Sequence, residues 1–151
     1  MSSQSIKSPE DIISGQCLAG RLRLLNRVVT GVYDDALRPL GLKTSQLNIL
    51  VAAAKQGIAR PAIICEQLHL DTSTLSRNVD RMKAKGWVEV VGDEDGRAQP
   101  FRVTAKGHKL LEHAKPCWDT AQKKVKQLLG KDTVQSIIDA VSDLQTVNSQ
   151  K

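Results

Sequence analysis

The chain has 151 residues, 40% of them hydrophobic and 25% charged. That is one ordinary domain of globular composition, long enough to bury about 70% of its unfolded surface without a metal or disulfide staple. The richest apolar run, residues 47–54, is eight long and falls well short of the roughly 18 needed to cross a membrane. The polar N-terminus resembles no signal or transit peptide, and the three cysteines, Cys17, Cys65 and Cys117, are widely spaced and odd in number. Together these point to a cytoplasmic protein with reduced thiols and no membrane partner. The net charge of +6 fits a polyanion partner. With two Trp, one Tyr and one Phe, the chain has too few rings to stack successive single-stranded bases, so duplex DNA is the better fit.

Residues 12–38 read as one long helix. Leu18, Leu22, Leu25, Val29, Val32 and Ala36 recur at steps of three and four on one face, widened by Cys17, Leu24 and Val28. Pro39 and Gly41 end it. A helix of that length with so broad an apolar face must pack against several partners or a second subunit. Thr44 reads as the cap of a second helix, with Leu47, Leu50, Val51 and Ala54 inward and Gly57 past its end. Pro61 suits the first turn of a short third helix ending at Leu68. His69 and Leu70 form a tight connection to Asp71, the cap of a fourth helix that Gly86 closes.

VEVV and AQPFRVT, either side of a Gly- and Asp-rich turn, predict a hairpin, its second strand restricted by Pro100 to an edge. Thr104 caps a fifth helix with Leu110, Leu111, Ala114, Trp118, Ala121, Val125 and Leu128 inward, and Pro116 predicts a kink or a restart within it. After Gly130 a sixth helix carries Val134, Ile137, Ile138, Val141 and Leu144. No repeat or linker interrupts the chain, which reads as a single domain over 1–151.

Two short helices, a tight turn and a following hairpin make a winged helix-turn-helix. On the fourth helix Leu75, Val79 and Met82 face inward, while Ser73, Ser76, Arg77, Asp80, Arg81 and Ala84 face outward. That outer face is slim and carries the side chain best suited to guanine O6 and N7, as a helix entering the major groove requires. An ordinary amphipathic helix with a solvated face has the same pattern. The hairpin lends weight to the first reading, because its tip projects Arg97, a residue suited to a narrow minor groove, among acids that can hold Arg97 or Arg102 in place. There is no phosphate-binding glycine loop, GxSxG or HExxH, and the chain reads as a non-enzyme. His113 and Cys117 form only a two-ligand edge, so neither metal nor cofactor is expected.

These segments carry a resemblance. LDTSTLSRNVDRMKAKGWV (70–88), DEDGRA (93–98) and VTAKGHKLL (103–111), with PLGLKTSQLNIL (39–50) before them, resemble in order and spacing the MarR family of winged helix-turn-helix transcription factors. The resemblance implies a mainly α fold, with a winged helix-turn-helix lobe (about 44–103), a two-stranded wing and interlocking dimerisation helices (about 12–38 and 104–147). It implies a homodimer on a palindromic duplex operator, acting as a repressor. The family's major-groove readers map onto Ser73, Thr74, Ser76, Arg77 and Asn78, with Arg81 near the DNA backbone; its wing arginine maps onto Arg97 and the acid orienting it onto Asp95. Members respond to a small phenolic or amphipathic effector bound between the lobes, or to cysteine oxidation, for which Cys17 is the candidate here. The alternatives are a dimeric winged-helix module that docks a protein, and a ligand-binding scaffold without DNA activity.

Overall fold

The computed structural model describes residues 7–92 and 99–148. Seven helices and one two-stranded sheet follow in the order α1 (Pro9–Gln16), α2 (Leu18–Leu37), a 3-10 turn (Arg38–Leu40), α3 (Thr44–Gln56), α4 (Pro61–Leu68), α5 (Thr72–Ala84), β1 (Val88–Val90), β2 (Phe101–Val103), α6 (Ala105–Leu129) and α7 (Lys131–Asn148). The mainly α winged helix-turn-helix expected from the sequence is therefore present, with α3, α4 and α5 as its helices and β1–β2 as its wing.

Four expectations are corrected. The helix expected over 12–38 is two helices, broken at Cys17, whose ψ of 107° is extended. The first helix also begins earlier, because Ser8 accepts a hydrogen bond from the Asp11 N–H and Pro9 occupies the first turn. Lys43, not Thr44, is the N-cap of α3; Thr44 is already helical, and the Lys43 N–H is taken by Gln46 Oε1 at 3.1 Å. Of the kink or restart expected at Pro116, the restart is absent, since α6 is one continuous helix across it. Pro116 and Glu112 are both exposed, so the carbonyl that the proline leaves without a donor meets solvent. Finally, β2 is not confined to an edge. It pairs antiparallel with β1, Val88 opposite Val103 and Val90 opposite Phe101. On its other side Phe101 forms a bridge with Ala59, through N–H···O bonds of 2.7 and 3.0 Å. Pro100 lies just before the strand, where only its carbonyl is needed, and that accepts from the Val91 N–H.

The core fills the space between α3, α4, α5, the sheet and the start of α6. Leu37, Leu42, Ile49, Leu50, Ile64, Leu75, Met82 and Phe101 are its largest fully buried side chains. Cys65, Cys117 and Trp118 pack against its edge half-buried. Thr104 caps α6 by accepting from the Gly107 N–H, as its sequence position suggests, and donates its hydroxyl to Gly86 O at 2.6 Å. Gly107 is required there: a Cβ would sit 2.2 Å from Trp87 O. The glycine lets α6 lie directly on the chain entering β1, which fixes the wing against the end of α5.

Candidate nucleic-acid interface

The candidate interface is built on α5. Leu75 and Met82 bury one side of the helix in the core, which sets the rotation of everything else on it. Asp71 starts it. Its carboxylate accepts from the Thr74 N–H at 2.7 Å, the Ser73 hydroxyl at 2.6 Å and the Thr74 hydroxyl at 2.7 Å. These bonds, the Ser73 hydroxyl foremost, hold the carboxyl far below the usual carboxylate range, so it stays charged at a helix N-terminus, where negative charge is favoured.

Ser73 in turn receives Arg77. The guanidinium donates to the Ser73 carbonyl and to its hydroxyl oxygen, both at 3.2 Å, so the side chain lies back along the exposed helix surface toward its N-terminus. Ser73, Ser76, Arg77 and Arg81 are all exposed. Thr74 and Asn78 are half-buried, with Thr74 engaged on Asp71 and the Asn78 amide donating to Thr74 O at 3.0 Å. The exposed edge of α5 is thus Ser73, Ser76, Arg77 and Arg81: two small hydroxyls and two guanidiniums, with Arg77 resting on Ser73. Such an edge fits the floor of a major groove, where Arg pairs with guanine and small hydroxyls adapt to any base.

The turn between α4 and α5 is held by His69, a non-glycine residue at φ 50°, whose N–H closes onto the end of α4 while Leu70 N–H bonds to Cys65 O at 3.0 Å. In the wing, Arg102 is paired with Glu89 across the strands at 2.6 Å, so the acid that holds it comes from β1. Asp95 and Arg97, the expected wing residues, lie outside the described residues. Cys17 is exposed at the α1–α2 break, and the neighbouring Arg21 guanidinium is turned to the Gly15 carbonyl. Among the described residues no three His, Cys, Asp or Glu side chains converge as a metal site, and no helix is long and apolar enough to cross a membrane.

Sequence reasoning passed over Asp34 on α2, which accepts from both the N–H and the hydroxyl of Thr44, at 2.8 and 2.6 Å. The signal that a second residue was involved is Lys43 itself, a cap position without a side-chain acceptor. Tyr33, beside it, donates to Gln122 Oε1 on α6, a pairing that sequence spacing does not announce.

Comparison with known proteins places this geometry. The model of the MarR family matches residues 40–98, which run from the end of the 3-10 turn through β1 and stop short of β2. The multiple antibiotic resistance protein MarR of Salmonella typhimurium is 28% identical over 127 residues, covering 82% of this chain and 88% of the relative. The chain is similar to the MarR family over this segment. The chain also superposes on the M. tuberculosis transcriptional regulator MosR, solved in complex with DNA, with a TM-score of 0.73 and 27% identity over 87% of this chain and 98% of that one. An E. coli MarR mutant, complexed with operator DNA, shares the fold with a TM-score of 0.76 at 20% identity, over 88% of this chain and 96% of that one. The M. tuberculosis neighbour is a transcriptional regulator, and the curated relative is a multiple antibiotic resistance protein.

Proposed function

We propose that the protein is a cytoplasmic repressor that binds a palindromic duplex operator as a homodimer, and that a small amphipathic ligand modulates it. The observation that carries the DNA reading is the exposed edge of α5, where Ser73, Ser76, Arg77 and Arg81 stand on a helix anchored by buried Leu75 and Met82. In this reading Arg77 leaves Ser73 to pair with a base, Arg81 takes a phosphate, and Arg97, oriented by Asp95, reaches the minor groove from the wing. Thr74 and Asn78, mapped as readers by the family resemblance, shape the helix rim. The MosR relative, at 27% identity, is a DNA complex, which favours the same use of α5 here.

Dimerisation is supported by the apolar side chains that the terminal helices leave exposed: Leu18, Leu22, Leu24 and Val28 on α2, and Ile137, Ile138, Val141 and Leu144 on α7. Isolated monomers rarely expose contiguous apolar surface on that scale. For the effector, a groove of about 2020 Å³ runs between the helix-turn-helix and α6, lined by Leu47, Val51, Ile63, Leu111 and Trp118, with Lys115 at its side. The lining also holds Lys55 and the acids Glu66 and Asp71, and apolar walls with such a mixed polar rim suit a small amphipathic molecule. Oxidation at Cys17, the other signal considered, has in its favour only the exposure of that thiol.

Selection from a randomised duplex library at two salt concentrations, with Arg77→Ala alongside, tests the reading. The expected product is a palindrome with half-sites about one helical turn apart, bound more weakly at the higher salt because phosphate contacts release counterions, and lost in the variant. Salt-insensitive binding, or the same sequence preference in Arg77→Ala, would instead favour a protein-docking module or a ligand-binding scaffold.

A further inference from the structure

The last turns of α2 tie three parts of the molecule together. Tyr33 donates to Gln122 on α6, fixing α2 against the long helix that leaves the wing. One residue later, half-buried Asp34 takes both donors of Thr44. Thr44 opens α3, so this carboxylate lies at a helix N-terminus whose first N–H groups have no partner within the helix. Leu37, one turn further on, is fully buried, and its carbonyl accepts from the Leu42 N–H at 3.5 Å. The far end of α5 reaches the same connection: Lys85 Nζ donates to Gly41 O at 2.7 Å while its ammonium sits 4.4 Å from the centre of the Trp87 ring.

The acceptor for α3 comes from another element ten residues upstream. The N-cap itself is Lys43, which makes no side-chain capping bond. What is ordinarily a local cap has become a tie between the dimerisation helix and the reading lobe. Neither Asp34 nor Thr44 lies on α5 or the wing, so a direct DNA contact does not account for it.

We infer that Asp34 is a positioning residue for operator recognition: through Thr44 it sets the angle at which the reading lobe leaves α2, and hence the separation of the two α5 helices in the dimer. The inference rests on the dimeric operator-binding reading above. A residue that only stabilised α3 would lower affinity for every DNA alike. A residue that sets the angle governs which half-site separation is preferred.

The test is to titrate wild type, Asp34→Ala, Thr44→Val and Thr44→Ser against duplexes carrying the selected half-site alone, and in pairs at the selected separation and at separations changed one base pair at a time. Asp34→Ala is expected to lose roughly tenfold in affinity at the selected separation, the scale of one charge-assisted hydrogen bond. Its preference among separations flattens, and its affinity for the lone half-site stays at the wild-type value. Thr44→Val, which keeps the backbone bond, falls between, and Thr44→Ser restores the wild-type profile. An equal loss on every duplex, lone half-site included, would overturn the inference, as would an unchanged spacing profile in a folded Asp34→Ala. Should Asp34→Ala not fold, Thr44→Val decides by the same criteria. A wild type that binds the lone half-site as tightly as the palindrome would remove the dimeric reading and this inference with it.

Discussion

Among single residues, those at the ends of helices were the most legible in sequence, because a cap is local chemistry. Asp71 and Thr104 announce themselves by residue type and position, and both accept the expected backbone N–H. Asp71 carries a pH consequence. Its folded pKa lies below the unfolded value of about 3.9, so its contribution is present above that value and lost as pH falls through the folded pKa. An NMR titration is expected to show the Asp71 carboxyl ionised well below the range of the exposed carboxylates, with the Thr74 amide reporting the same transition. Titration at the ordinary value would mean that the Ser73 and Thr74 bonds do not persist in solution. Gly107, by contrast, was illegible. A glycine in the first turn of a helix looks like a weakness until Trp87 O is found against it. Gly107→Ala is expected to destabilise by about 1–3 kcal/mol, the usual cost of forcing a group into a packed space, measurable by urea unfolding; an unchanged midpoint would show that α6 can lift off the strand without penalty. Arg77→Ala leaves the fold alone, since the side chain is exposed, and its expected loss of about 1–3 kcal/mol appears in binding to the selected operator. An unaltered operator affinity would remove Arg77 from the reading set.

At the scale of elements, periodicity located the long helices but merged α1 with α2, and the errors fell where periodicity is silent. The apolar repeat of α2 continues past Cys17 into α1, yet one extended ψ angle divides them; side-chain spacing reports which face is apolar and nothing of backbone torsion. The Ser-Pro-Glu-Asp run at 8–11 was the available sign of an earlier start, with a cap, a first-turn proline and two acids. Strand order in the wing was illegible for a different reason. Ala59, the third participant, stands alone in a connection between two helices, and a single bridge has no sequence pattern. The α4–α5 turn sits between these cases: its brevity was readable, but the left-handed residue in it was not, because His is not the residue that such a conformation most favours. His69→Gly is expected to be tolerated, with a stability change within about 1 kcal/mol, since relief of the backbone is offset by greater freedom in the unfolded chain. His69→Val, β-branched at the same φ, is expected to cost about 1–2 kcal/mol. Thermal unfolding of the pair checks this, and equal melting temperatures for both variants would mean that the turn relaxes to another conformation.

For the whole molecule, the helix-turn-helix lobe buries most of its apolar residues, Val51, Ile58 and Ile63 apart, while α1, α2 and α7 leave most of theirs exposed. Leu50, Ile64 and Phe101 are fully buried within one chain, but Leu22 is 63% exposed, Leu144 is 65% exposed and no residue of α1 is buried. The sequence allowed that contrast to be foreseen, because the stripe on residues 12–38 was too broad for one small lobe to cover. It did not reveal the joint at Tyr33 and Asp34, which exists only once α2, α3 and α6 meet. If those exposed residues are the subunit interface, replacing one with a charge acts on assembly first and on DNA second. Leu22→Glu removes an apolar contact and places a carboxylate where burial would demand a partner, and a two-fold interface meets the change twice. The lobe core, packed around α3, α5 and the sheet, contains none of this surface and stays folded. Analytical ultracentrifugation is therefore expected to show wild-type dimer and Leu22→Glu monomer at the same concentration. The monomer should retain weak, salt-sensitive binding to a lone half-site while losing the added affinity for the palindrome, because linking two sites raises effective concentration only when both lobes belong to one particle. A Leu22→Glu protein that remains dimeric and binds the palindrome like wild type would place the subunit contact elsewhere. The apolar face of α2 would then need another explanation.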